Sequence, residues 1–261
     1  MPLIGMGTWE LSGKACTASV EEALLIGYRH IDTAFSYENH REVGKALKRV
    51  NREEIFLTTK FTPDIKGSVE EVCDLALKEL DTDYLDALLI HWPYRDCSLE
   101  KILEALFTLV EKDKLRFPGV SNYTIHHMQD AFDAGLSIPV NQVEFHPYLY
   151  QKELLEFANR HGTKLVAYRP FGKGKLLKEE SLFGEIGEKY GKTAGQVVLR
   201  WITQKGIPVI PKASSEKHLK ENFESLDFDL GPEDIKKIDE LGKKVRYCIG
   251  GKIGRPDEFE Y

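Results

Sequence analysis

The sequence predicts an α/β protein of the (β/α)8 TIM-barrel class. Three observations carry the prediction. Short apolar runs alternate with helix-patterned segments about eight times along the chain. Almost every run ends in a side chain that can do chemistry: Asp32, Lys60, His91, Ser121 with Asn122, Tyr168 and Lys212 each follow or close such a run. The chain has 261 residues, close to the roughly 250 of a typical barrel. In this fold the C-terminal ends of the strands form one face and the active site sits there, so residues far apart in sequence converge.

Taken in order, the runs predict strands over 2–8, 28–32, 55–60, 85–90, 115–120, 140–144, 164–168 and 207–210. Between them, Val20, Ala23 and Leu24 mark a helix over 19–26. Val72, Leu75, Ala76 and Leu80 mark one over 69–80, and Ser68 followed by Glu71 forms a capping box at its start. Ile102, Leu103, Leu106, Leu109 and Val110 mark a third over 99–110. Two helical segments, 181–190 and 193–204, follow Tyr168. Two more, 216–226 and 232–241, follow Lys212, with Pro232 in the first turn of the second. The tail, 242–261, reads as a loop. No linker divides the chain, so one domain over 1–261 is expected. An open doubly wound sheet is the structural competitor, and it fails because no G-x-G-x-x-G opens a helix.

Bulk properties exclude several functions. A net charge of −6 gives no electrostatic footprint for nucleic acid. No run of 18 or more apolar residues predicts a membrane span, and the N-terminal residues lack the pattern of a signal peptide. Cys16, Cys73, Cys97 and Cys248 are scattered, with no CxxC pair, which points to reduced thiols and a cytoplasmic location. His126-His127 has no second ligand pair at metal spacing, so no metal site is predicted.

Asp32, Tyr37, Lys60 and His91 form a chemical device. A buried lysine beside an aspartate stays charged, and a charged lysine near a tyrosine lowers the phenol's pKa from its reference of about 10. The phenol can then act as a general acid, while a histidine close by orients a substrate carbonyl. Each residue alone has an ordinary reading as a surface cation or a core histidine; all four at successive strand ends make the combination informative.

The residues extend to a family resemblance over nearly the whole chain. Gly5-Met6-Gly7-Thr8-Trp9, Gly27 to Ala34 with Tyr37 and Asn39, Thr59-Lys60, Leu89 to Pro93, Gly119 to Tyr123, Pro139 to Glu144 with His146-Pro147, Ile210-Pro211-Lys212, and Glu221-Asn222 together resemble the aldo-keto reductases. The resemblance implies a (β/α)8 barrel with two extra helices, a monomer, and a small-molecule carbonyl as partner. It implies reduction of aldehydes and ketones with NADPH by direct hydride transfer, without a metal. Tyr37 then matches the proton donor, Lys60 and Asp32 its tuning pair, and His91 the residue that orients the carbonyl. Ser121, Asn122 and Gln142 match the groups that hold the nicotinamide carboxamide, and Tyr168 the ring stacked on it. Lys212 matches the cation facing the 2′-phosphate, and Glu221 and Asn222 the adenine contacts. Trp9 and Trp92 match the substrate-pocket walls, with Phe35 a further candidate.

The chain also departs from the family pattern. It begins at the first barrel strand, without the hairpin that plugs the barrel bottom, and the segment 94–98 after His91-Trp92-Pro93 and the C-terminal tail are short. Fewer walls predict an open pocket and a broad substrate range. His40 reads as a solvated residue at a helix start. Phe117-Pro118 predicts a bulge or shortened strand, because proline lacks an N–H. Arg169 either reaches a pyrophosphate or is a surface cation. His218 stands where an arginine usually grips the 2′-phosphate, with Lys212, Ser214 and Ser215 as the remaining phosphate-side groups, which predicts a modest preference for NADPH with NADH usable.

Two other functions stay open at the level of sequence. One is a Schiff-base lyase with Lys60 as nucleophile, against which Tyr37 and the carboxamide set argue. The other is a slow nucleotide-binding sensor, which would not need the complete tetrad.

Overall fold

The computed structural model describes residues 1–94 and 97–248. Seven parallel strands form one sheet in the order of the chain: β1 (Met6–Gly7), β2 (His30–Asp32), β3 (Phe56–Phe61), β4 (Leu85–Ile90), β5 (Leu115–Ser121), β6 (Val140–Glu144) and β7 (Lys164–Tyr168). Between and after them lie α1 (Gly13–Ile26), α2 (His40–Leu47), α3 (Val69–Leu80), α4 (Leu99–Glu111), α5 (Ile125–Asp133), α6 (Lys152–Arg160), α7 (Lys175–Glu179), α8 (Leu182–Tyr190), α9 (Ala194–Gln204), α10 (Glu216–Phe223) and α11 (Pro232–Asp239). This is a (β/α)8 barrel in which the eighth strand is reduced to bridges.

The predicted strand at 207–210 does not form a ladder. Val209 alone bridges both neighbours, Ile4 on one side and Ala167 on the other. The predicted strand at 2–8 likewise shrinks to β1 plus that bridge. Pro208 and Pro211 explain the interruption, since neither has an N–H to donate. The barrel still closes through backbone hydrogen bonds: Gly5 N–H to the Val209 carbonyl at 2.8 Å, Val209 N–H to Leu3 at 2.9 Å, Ile210 N–H to Ala167 at 3.0 Å, and Gly7 N–H to Pro211 at 3.2 Å. Closure also needs glycine at position 7, where a Cβ would lie 2.9 Å from the Ile210 carbonyl oxygen.

Pro118 causes no bulge. Register runs unbroken from Ala87↔Phe117 through Leu88↔Pro118 to Leu89↔Gly119. Pairing to β6 starts only at Gly119↔Val140, so the proline occupies a stretch with one paired neighbour, where a missing donor is tolerated.

Period-two alternation divides each strand. On β4, Ala87 and Leu89 point into the barrel and join Phe56, Val140, Val166 and Ile210 in an interior cluster. Leu88 and Ile90 point outward, into the larger layer packed under the helices. Helix caps follow the sequence closely. Ser68 and Glu71 form the predicted capping box of α3, and Thr193 with Gln196 forms another at α9. Helix α1 starts at Gly13, ahead of its apolar stripe, and the predicted helix at 216–226 ends as α10 with a 3₁₀ turn at Glu224–Leu226. Residues 242–248 are irregular; the rest of the predicted tail loop, 249–261, lies outside the described residues. Among the described residues, no helix is long and apolar enough to cross a membrane.

Candidate active site

The same alternation that fills the barrel interior places the polar groups above it. Two residues beyond Thr58 on the inner face of β3 comes Lys60; two beyond Val140 on β6 comes Gln142; two beyond Val166 on β7 comes Tyr168. His91 follows Leu89 and Ser121 follows Gly119 in the same rhythm. Asp32 closes β2, and a 3₁₀ turn over Phe35–Tyr37 carries Tyr37 back across it. The result is a cavity of about 480 Å³ whose lining includes Trp9, Asp32, Tyr37, His91, Trp92, Ser121, Asn122, Gln142, Tyr168 and Lys212.

Lys60 lies at the floor, 1 % exposed. Its ammonium donates to Asp32 Oδ1 at 2.6 Å, to the Thr33 carbonyl at 2.9 Å and to the Tyr37 hydroxyl at 3.5 Å. Burial works to lower the Lys60 pKa, but Asp32 and Tyr37 outweigh it and hold the ammonium above its ordinary value. Burial pushes the Asp32 carboxyl up, while Lys60 and Gln142, which donate to its two oxygens, pull it back.

The Tyr37 phenol corrects an expectation. Lys60 does pull its pKa down, but burial pushes harder, and the phenol stays above its ordinary value. Tyr37 therefore holds its proton at neutral pH. His91 meets Tyr37 edge-on, with ring centroids 5.9 Å apart. Burial, reinforced by the Lys60 charge, pushes the His91 imidazole down to about 3, so the ring is neutral.

The residues assigned to a carboxamide are joined to one another. Ser121 Oγ donates to the Gln142 carbonyl at 2.8 Å, and Gln142 Nε2 donates to Asp32 Oδ2 at 2.7 Å. Asn122 sits in the left-handed region, φ +68°, which turns its amide to donate to the His91 carbonyl at 3.0 Å. The Tyr168 hydroxyl donates to Asn122 Oδ1 at 2.6 Å. Burial pushes the Tyr168 phenol well above its ordinary value.

Other predicted residues lie apart. Ser214, His218, Glu221 and Asn222 do not line this cavity; they lie on the segment after Lys212 and along α10. Ser215 caps α10 by accepting from the His218 N–H at 3.3 Å. The exposed His218 ring faces Glu221 at 3.4 Å, and Glu221 also accepts from Thr193 Oγ1 at 2.6 Å. His40 is not solvated: it is 3 % exposed, with Nε2 2.7 Å from Thr59 Oγ1 and Nδ1 3.1 Å from Glu79. Asn39, the residue before it, turns its side chain to Thr33, Thr8 and Leu11 instead of capping α2, so the helix start faces the barrel. Phe35 packs edge-on against His40, at 4.6 Å, and does not line the cavity.

Arg169 is half-buried and lines the cavity, so it is not a free surface cation. It donates to the Tyr247 carbonyl at 2.9 Å and lies 4.8 Å from the Trp9 ring centroid, with Lys173 at 4.9 Å from the same ring. Lys173, Tyr247 and Cys248 line the cavity too. Their sequence neighbourhood has no periodicity that would have singled them out.

Comparison with known proteins fits this geometry. The sequence profile of the aldo/keto reductase family matches residues 3–243. The glyoxal reductase of Bacillus subtilis (strain 168) is 41 % identical over 252 residues, covering 94 % of this chain and 91 % of that protein. The methylglyoxal reductase DkgA of Escherichia coli (strain K12) is 36 % identical over 267 residues, covering 99 % and 94 %. The crystal structure of an aldo-keto reductase enzyme from a Medee basin deep-sea metagenome library superposes with a TM-score of 0.90 at 36 % identity, covering 94 % of this chain and 93 % of that one.

Proposed function

This chain belongs to the aldo/keto reductase family and is an oxidoreductase acting on aldehydes and ketones; from that membership we propose that it uses NADPH, with Tyr37 as proton donor. The observation that carries the reading is the Lys60 ammonium, 2.6 Å from Asp32 and 3.5 Å from the Tyr37 hydroxyl, beneath a cavity that His91 also lines.

The residues fit a nicotinamide cofactor. Tyr168 offers a ring at the cavity wall, Gln142 and Asn122 offer amides, and Lys212 offers an exposed cation further along. Lys212, Ser214 and His218 would hold the 2′-phosphate side, and Glu221 and Asn222 the adenine. NADPH supplies a hydride to the carbonyl carbon when bound. The protein's own residues handle the oxygen. His91 is neutral, and its Nδ1 is buried with no hydrogen-bond partner among the described residues. An unpartnered buried N–H is costly, so the ring proton belongs on Nε2, which donates to the carbonyl oxygen. As negative charge develops there, the Tyr37 O–H gives up its proton. The tyrosinate left behind meets the Lys60 ammonium, and Asp32 keeps that ammonium charged. Lys60 thus acts on the product side of the proton transfer, without making Tyr37 acidic beforehand.

The pocket admits a broad range of carbonyls, and the glyoxal and methylglyoxal reductases among its relatives support small 2-oxoaldehydes within that range. The chain works in the cytoplasm as a monomer. NADPH consumption against a panel of aldehydes tests the proposal, with Tyr37→Phe as the control. That variant keeps the ring and loses the acidic proton; turnover should fall about 10²–10⁴-fold with NADPH binding unchanged. Retention of more than half the turnover, with chemistry rate-limiting, would remove Tyr37 from its role.

A further inference from the structure

We propose that Glu144 is a positioning residue: its buried carboxylate clamps the backbone of Tyr247 and Cys248 against the barrel mouth, and so sets the pocket wall that discriminates among carbonyl side chains. The selectivity half rests on the reading of the cavity as a carbonyl site; the clamp itself does not.

Glu144 closes β6 and is 0 % exposed. Its Oε1 accepts from the Tyr247 N–H at 2.8 Å and from His146 Nε2 at 2.9 Å; its Oε2 accepts from the Cys248 N–H at 2.7 Å. Burial works to raise the carboxyl, but His146 and the two backbone donors outweigh it and hold Glu144 below the usual range, so it is a carboxylate. Two successive N–H groups on the two oxygens of one carboxylate fix the register of the segment, because a slip of one residue breaks the pairing.

The clamped residues line the cavity beside His91, Trp92 and Tyr168. Their segment has no regular secondary structure of its own, so its position depends on such ties. The rest of the segment is anchored outside the pocket: Val245 N–H donates to the Tyr148 carbonyl at 2.8 Å, and Lys243 Nζ to the Tyr148 hydroxyl at 2.8 Å and to Glu180 at 3.0 Å. At the pocket itself, the Tyr247 ring lies 5.4 Å from the His146 ring and presses onto Gly172, where a Cβ would come within 2.4 Å of it. Gly172 has φ +53°, a second reason for glycine there. The ring thus has one seat, and Glu144 holds the chain in register for it.

The test is Glu144→Gln, an isosteric change that turns one acceptor into a donor facing an N–H. Amide exchange at Tyr247 and Cys248 should quicken at least tenfold relative to the strand amides. In a Cys97→Ser background, where Cys16 and Cys73 are buried, reaction of Cys248 with a neutral disulfide reagent should quicken at least fivefold. KM for a bulky aromatic aldehyde should move at least fivefold against that for methylglyoxal, with kcat for methylglyoxal within twofold. A second pair leaves β6 untouched: Cys248→Pro removes the clamped N–H, and should shift the KM ratio further than Cys248→Ala. Unchanged exchange and thiol reactivity in Glu144→Gln would overturn the clamp. Quickened exchange with an unchanged KM ratio would overturn its role in selectivity. A wild-type protein that turns over no aldehyde would sink the carbonyl reading and the selectivity with it, while exchange would still decide the clamp.

Discussion

Gln142 donates its side-chain N–H to Asp32 Oδ2 at 2.7 Å, across 110 residues of sequence. The other Asp32 oxygen accepts from Lys60 at 2.6 Å. One buried carboxylate therefore links the group assigned to the cofactor with the group that supports the proton donor.

That link makes Asp32→Asn informative. The introduced amide can accept from Lys60 and donate to a flipped Gln142, so the shape survives while the charge is lost. Burial, which already works against the ammonium, is then opposed by the Tyr37 contact and the Thr33 carbonyl, without the Asp32 charge. Removing one member of a buried pair typically costs about 3–5 kcal/mol. Turnover should fall by about 10² or more, and fall further as pH rises from 6 to 9, because Lys60 loses its proton in that direction. A variant with wild-type turnover across that range would show that the charge of Asp32 is dispensable.

The buried His30 and the half-buried His91 give the fold an acid sensitivity. Burial pushes His30 down to about 3, with the N-terminal ammonium and Lys60 adding to it; burial and then Lys60 push His91 to the same region. In the unfolded chain both take a proton near 6.5. The unfolded state thus binds more protons between about 6.5 and 3, and stability, complete above 6.5, is lost as pH falls through that window. Each group contributes about 1.4 kcal/mol per pH unit there at most. Urea unfolding at pH 7, 5.5 and 4.5 reads the slope. His30→Gln should flatten it, and equal slopes in the two proteins would contradict the assignment.

The proposed place of His218 on the 2′-phosphate side makes the choice between NADPH and NADH testable. Its exposed ring lies 3.4 Å from Glu221, whereas a phosphate is gripped best by the permanently charged, bidentate fork of an arginine. His218→Arg should raise the preference for NADPH over NADH about tenfold, the size of one added charge-assisted hydrogen bond. Dissociation constants for both cofactors by fluorescence titration check this. A ratio that does not move would put His218 outside the phosphate site.

The sequence by itself determined the barrel and the inward-facing groups. Period two is a local property of the chain, so Lys60, Gln142 and Tyr168 had to share the inner face with the apolar residues before them. Helix caps such as Ser68 with Glu71 are equally local. Only the tertiary structure decided what depends on partners far along the chain. Pro208 and Pro211 reduce the eighth strand to the bridges at Val209, a cost visible only once its neighbours are known. His40 is buried because Asn39 turns inward to Thr8 and Leu11. Tyr37 keeps its proton because burial outweighs Lys60, and burial is a property of the packed molecule. Tyr247 and Cys248 reach the pocket because a carboxylate over a hundred residues earlier holds their N–H groups. A segment without periodicity carries no signal of such an anchor, since the energy that places it resides in the partner.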